Sequence, residues 1–142
     1  MTERDYSGTP LPKKLGISPD SRVFISSAPY SPAGADIRPI LETTTLVEEP
    51  ADLDVWLFFT TSREKLESTF AVMAERIRPD GAVWIAYPKK SSKVREELES
   101  DVDFGAVQEI GLAAGLVDNK SCAIDDDWTA VRFVYRKEDR PR

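Results

Sequence analysis

The 142-residue chain contains no histidine and one cysteine, Cys122. Histidine is the side chain that most often moves protons near neutral pH and the commonest metal ligand. Its absence excludes Ser-His-Asp and Cys-His nucleophile systems and a Cys/His zinc site within one chain. A lone cysteine excludes an intramolecular disulfide. No apolar run approaches the ~18 residues of a membrane span. Residues 1–6 are polar and carry no apolar signal core, so a cytoplasmic location is the expectation. Basic residues are in the minority, 19 against 25 acidic, for a formal charge of −6. Nucleic-acid binding requires a basic footprint, so no nucleic-acid partner is expected, although a local patch can still hold an anion. Any chemistry must come from carboxylates, lysines, tyrosines, hydroxyls or a borrowed cofactor, and no motif in the sequence identifies a cofactor or a metal site.

The chain's length fits one domain of ~100–200 residues. Residues 1–21 read as an arm with a short helix after Pro10 and Pro12, residues 22–136 as the α/β domain, and residues 137–142 as a flexible tail. Residues 22–28 (RVFISSA) are a β-branched and aromatic run closed by Pro29, the first expected strand. A short or broken helix follows at 35–41, then a weak strand at 43–47. Residues 54–60 (DVWLFFT) are the clearest strand, with a continuous apolar centre suited to burial on both faces. Thr61 and Glu64 have capping-box spacing, and Leu66, Phe70, Met73 and Ile77 form one helical stripe. Pro79-Asp80-Gly81 is expected to end that helix before a strand at 82–87. One or two helices over 94–114, interrupted near 101–103, lead to strands at 116–124 and 128–136. This pattern predicts a three-layer, Rossmann-like open sheet, mostly parallel, with an antiparallel hairpin at the C-terminal side. Only six residues, 48–53, separate the weak strand from the strong one, whereas a parallel crossover needs a dozen or more.

The stretches YSGTPLPKKLGI (6–17) and GLVDNKSCAIDDDWTAVRFVYRK (115–137) resemble a family of short bacterial proteins that carries a domain-of-unknown-function label. That resemblance implies a Rossmann-like fold without an assigned activity. More distantly, RPDGAVWIAYPK (78–89) and the closing hairpin are similar to class I S-adenosylmethionine-dependent methyltransferases. This second resemblance implies a reduced methyltransferase-like topology, with strand order near 2-1-4-5-7-6 and one helix and strand deleted. It also implies S-adenosylmethionine as the cofactor to weigh, with Glu48 or Glu49 on its ribose. The chain departs from that family after the first strand. Where those enzymes have a glycine-rich turn, it reads Ser26-Ser27-Ala28-Pro29-Tyr30, and proline removes an N–H and fixes φ.

Ligands of open α/β sheets sit beyond the carboxyl ends of the strands. Three loops are expected to converge there, bringing Ser26, Ser27 and Tyr30 together with Thr60, Thr61 and Ser62 and with Tyr87, Lys89 and Lys90. Hydroxyls, tyrosines and cations, with the N–H groups of the helix after Thr61, suit a small anionic ligand. The plainer reading is that the hydroxyls cap helices and the lysines solvate a loop. Residues 118–120 read as a strand irregularity, 125–127 as a hairpin turn rather than a metal site, and Cys122 as a small core residue. Trp56 and Trp84 read as core, whereas Trp128 is expected to be exposed and to mark a contact surface. The leading functional expectation is a non-catalytic domain binding a small anionic ligand or a protein partner. A reduced methyltransferase and an interaction module built on the Trp128 hairpin edge stand as alternatives.

Overall fold

Two strands with apolar side chains on both faces set the architecture. The computed structural model describes residues 9–26 and 36–139. Its five strands are β1 (Val23–Ser26), β2 (Leu53–Phe59), β3 (Ile77–Pro88), β4 (Leu116–Ala123) and β5 (Trp128–Tyr135), in spatial order β1-β2-β3-β5-β4. The β1–β2 and β2–β3 pairs are parallel, and the last two pairs are antiparallel. The sheet is therefore open and mixed, as the alternation of elements predicts.

Side chains alternate between two cores with the period of two that a strand imposes. Trp56, Phe58, Val83, Ile85, Val131 and Phe133 face one way, against Leu66, Phe70, Met73, Val107 and Ile110. Those partners belong to α3 (Arg63–Arg76) and α5 (Phe104–Ala113). Val55, Leu57, Phe59, Trp84 and Ala86 face the other way, against Leu11, Ile40 and Val94. The second set of partners comes from α1 (Leu11–Lys14), α2 (Arg38–Thr43) and α4 (Lys93–Glu97). Three layers result. The Trp84 indole also donates to the Leu15 carbonyl at 3.0 Å, so the segment after α1 is pinned to the sheet.

Several expectations require correction. Residues 44–47 form no strand, and Thr43 ends α2. Val47 makes a single ladder-like contact, its N–H donating to the Val23 carbonyl at 2.9 Å. The connection to β2 is too short for a parallel crossover, so in the expected numbering the order is 1-4-5-7-6, without strand 2 among the described residues. Ile77 leaves the helix and opens β3, although it stays in the same core as Leu66 and Phe70. Pro79-Asp80-Gly81 does not precede that strand but lies within it, as an outward bulge: Leu53 pairs with Ile77, and Val55 next pairs with Ala82. Gly81 is required there, because a Cβ would stand 2.7 Å from the Leu53 carbonyl oxygen. Trp128 is not exposed. It is 1% accessible, edge-on to Phe59 with ring centroids 5.5 Å apart, because the period of two turns it inward at the start of β5. It offers no contact surface.

The expected irregularity at 118–120 is present as a register shift between Asp118 and Lys120. Residues 125–127 form the hairpin turn, in which the Asp125 carboxylate accepts from the N–H groups of Asp127 and Trp128, both at 2.8 Å. No cluster of potential metal ligands occurs among the described residues. None of their helices is long and apolar enough to cross a membrane.

On α5, a Cβ at Gly111 would overlap the fully buried Phe133 ring, itself edge-on to Phe70. Alanine in a helix interior normally gains about 1 kcal/mol over glycine. Here overpacking outweighs that gain, and Gly111→Ala is expected to destabilise by ~1–3 kcal/mol. Urea unfolding should show a lower midpoint at unchanged slope; a higher midpoint would refute this packing account.

Candidate ligand-binding crevice

The carboxyl ends of β1, β2 and β3 lie at one edge of the sheet, where Thr60, Thr61 and Ser62 line one cleft and Tyr87, Lys89 and Lys90 another. The first is lined by Phe58, Phe59, the turn Thr60-Thr61-Ser62, Lys65, Leu98 and Trp128, with a volume of ≈ 230 Å³. The turn forms because Thr60 is nearly buried and folds on itself. Its hydroxyl donates to the Ser62 carbonyl and accepts from the Ser62 N–H, at 3.0 and 3.1 Å. That geometry makes Ser62, not Thr61, the cap of α3, with its hydroxyl accepting from the Lys65 N–H at 3.2 Å.

The first of the α3 N–H groups expected to face an external anion, that of Arg63, is already engaged within the protein. The Asp101 carboxylate accepts from the Arg63 N–H at 2.7 Å, while the Asp101 N–H donates to the Thr61 carbonyl at 3.1 Å. The segment between α4 and α5 thus supplies an internal anion at the positive end of the helix dipole. Ser26 closes β1 level with Phe58, its hydroxyl accepting from the Trp56 indole at 2.8 Å. Ser27 and Tyr30 fall outside the described residues.

The second cleft, ≈ 470 Å³, is lined by Tyr87, Lys89, Lys90, Arg95, Asp103, Phe104, Gly105 and Thr129. Tyr87 belongs to the core against α3 and α5, whereas Trp128 of the first cleft belongs to the opposite core. The second and third of the expected loops line different clefts, and the first loop beyond Ser26 lies outside the described residues. Arg95, Asp103, Phe104 and Thr129 carry no local sequence signal for this site; they come from α4, the start of α5 and β5, which meet beside Tyr87. Asp103 caps α5, accepting from the Ala106 N–H at 2.8 Å. Arg95 reaches the Val102 carbonyl and braces the same loop. Burial pushes the Tyr87 phenol above its ordinary pKa of 10.0; Asp103 adds to the rise and Arg95 opposes it.

Glu48 and Glu49 lie away from both clefts. Val47 bonds to Val23 at the amino end of β1, and the Arg22 guanidinium holds the Ala51 carbonyl at 2.9 Å, so both glutamates stand near the amino ends of the strands. Cys122 is half-buried in β4, and burial raises its thiol pKa against the opposing pull of Lys14 and Lys120. A raised pKa makes it a poor nucleophile.

No family model matches the sequence, and no curated protein matches it significantly. Solved structures do. The pyocyanin biosynthetic protein PhzM superimposes with a TM-score of 0.61 at 11% identity, over 89% of this chain and 53% of PhzM. The Methanococcus jannaschii fibrillarin pre-rRNA processing protein gives 0.51 at 15% identity, over 89% and 69%. The O-methyltransferase NcsB1 of neocarzinostatin biosynthesis, solved with S-adenosylmethionine, gives 0.53 at 12%, over 70% and 35%. The chain has a methyltransferase-like Rossmann fold. It spans about half of PhzM and about a third of NcsB1. This methyltransferase-like domain keeps the parallel centre and antiparallel close of the fold.

Two outcomes are expected from this geometry. Asp101→Ala removes an acceptor from the α3 N-terminus and should cost ~0.5–2 kcal/mol in chemical unfolding, the range of a lost cap; an unchanged midpoint would remove Asp101 from that role. Tyr87 gives a pH signature. Its folded pKa is raised above the unfolded value, so its stabilisation is complete below about pH 10 and is lost as pH rises through the folded value. Tyr87→Phe should flatten the loss of stability above about pH 10, read from urea midpoints against the parent chain.

Proposed function

We propose that this chain is a small-ligand-binding domain of the methyltransferase fold, with its ligand in the crevice at the carboxyl ends of β1 and β2. S-adenosylmethionine is the ligand class this reading puts first. The observation that carries it is the Thr60-Thr61-Ser62 turn, which opens a cleft beyond the parallel pair, walled by Leu98 and the Trp128 indole. Crevices of this kind are where open α/β sheets take their ligands. Support for the ligand class comes from NcsB1, which shares the fold and was solved holding S-adenosylmethionine.

The described residues fit the place of that ligand only in part, and the ≈ 230 Å³ they enclose, below the ~300–1,000 Å³ of small-molecule sites, takes one portion of it. Ser26, Thr61 and Lys65 stand near it, but the family's carboxylate grip on the ribose has no counterpart at Glu48 or Glu49. The hydroxyls of Thr60 and Ser62 are already engaged within the turn. The reading is therefore one of binding rather than methyl transfer, and it absorbs the expectation of a small ligand more readily than that of a protein partner at Trp128.

Isothermal titration with S-adenosylmethionine and S-adenosylhomocysteine tests it. Saturable heat is expected, with a melting shift of several degrees at 100 times the dissociation constant, where stabilisation reaches about 2.7 kcal/mol. Thr61→Trp fills the cleft mouth and should weaken binding by ~10-fold or more, about 1.4 kcal/mol, without lowering the unliganded midpoint. Absence of heat with both compounds at about 1 mM, a concentration that corresponds to −4.1 kcal/mol of affinity, sinks the reading.

A further inference from the structure

The second cleft is independent of the first and does not share its chemistry. Tyr87 is 7% accessible, yet its hydroxyl has no hydrogen-bond partner among the described residues. The hydroxyl opens on the cleft, where a ligand or water can complete its hydrogen bonding. The hydroxyl lies close enough to Asp103 and Arg95 to feel both charges, and both residues line the cleft. Lys89 and Lys90 line it as well, and neither ammonium is ion-paired among the described residues. Against the single carboxylate of Asp103 stand three cations, on a protein whose formal charge is −6. Phe104, in the first turn of α5, lays a large apolar side chain along the same cleft and is 45% accessible. A volume of ≈ 470 Å³ falls within the ~300–1,000 Å³ range of small-molecule sites.

We infer that this cleft binds a small aromatic anion, an aryl carboxylate or aryl phosphate. Its charged head lies between Lys89 and Lys90, where it accepts a hydrogen bond from the Tyr87 hydroxyl, and its ring rests on Phe104. Each part has a separate physical reason. Charge-assisted hydrogen bonds favour an anion over a neutral ring, and the donor-only ammonium groups favour an acceptor head. Aromatic contact with Phe104 favours a ring-bearing anion over a bare one. The Tyr87 phenol, whose ordinary pKa of 10.0 burial only raises, is protonated at neutral pH and can donate. The inference does not rest on the S-adenosylmethionine reading.

The test is a titration of the full chain, followed by calorimetry and by amide shifts in NMR, with benzoate, phenyl phosphate, inorganic phosphate and benzamide. Benzoate or phenyl phosphate should saturate the protein, and the tighter of the two fixes the head group. Inorganic phosphate and benzamide should each bind ~10-fold or more weakly, one lacking the ring and the other the charge. A Lys89→Ala, Lys90→Ala double variant, altering two side chains at the surface end of the cleft, should lose ~10-fold or more in affinity and most of the salt dependence. Tyr87→Phe should weaken both aryl anions. No saturation by either aryl anion overturns the proposal, as does equal affinity in the double lysine variant. Inorganic phosphate binding as tightly as phenyl phosphate overturns the role of Phe104. Binding of S-adenosylmethionine in the double variant leaves the first crevice standing, so the two readings fail separately.

Discussion

Burial of β2 and β3 on both faces is the constraint that everything else serves. Val55, Leu57 and Phe59 point one way, Trp56 and Phe58 the other, and none can face water without large cost. Each such side chain contributes about 1.5–3 kcal/mol only if a helix covers its face. The parallel β1–β2–β3 centre meets that demand by sending each connection over one face or the other. The antiparallel β5 then extends the same alternation, with Trp128 and Ala130 on one side and Val131 and Phe133 on the other. The ends of these strands are left at one rim, and the clefts form where the covering helices stop short of it.

The rim divides because α3 and α5 lie on one face and α4 on the other. Asp101 follows from the same packing. The α4–α5 connection must cross the α3 N-terminus to reach the far face, and its carboxylate takes the position an external anion would otherwise hold. The Arg63 and Lys65 N–H groups at the start of α3 are thus paired internally. At the Tyr87 cleft it is the phenol, not the helix, that has no partner among the described residues, and of the cations around it Arg95 is held by the Val102 carbonyl while Lys89 and Lys90 have no ion-pair partner there.

Much of this was legible in the residues. The apolar runs of β2 and β3, the Leu66-Phe70-Met73 stripe, the break near 101–103 and the turn at 125–127 follow from local periodicity and turn chemistry. The misreadings share one cause, the competition between local pattern and distant contacts. Thr61 and Ser62 are both good caps, and the Thr60 turn selects the second. Ile77 continues the helical stripe, but pairing with Leu53 draws it into the sheet. Trp128 adjoins three aspartates, yet the phase of β5 turns it toward Phe59. Among the crevice residues, Thr60, Thr61, Ser62, Tyr87, Lys89 and Lys90 were nominated from their places after strands, and each lines a cleft. Their grouping was not legible, because it depends on which face each helix covers.

The sequence by itself determined the class of the fold, an α/β sheet with a parallel centre and a closing hairpin, because period-two and helical apolar patterns are properties of neighbouring residues. It also determined the excluded chemistry, since a chain without histidine and with one cysteine cannot assemble those sites at any geometry. Tertiary structure decided that residues 44–47 stay outside the sheet, that Glu48 and Glu49 lie at the amino ends of the strands, and that Arg95, Asp103 and Phe104 meet Tyr87. Those outcomes depend on crossover length and helix placement, which join residues too far apart in the chain for any local pattern to record.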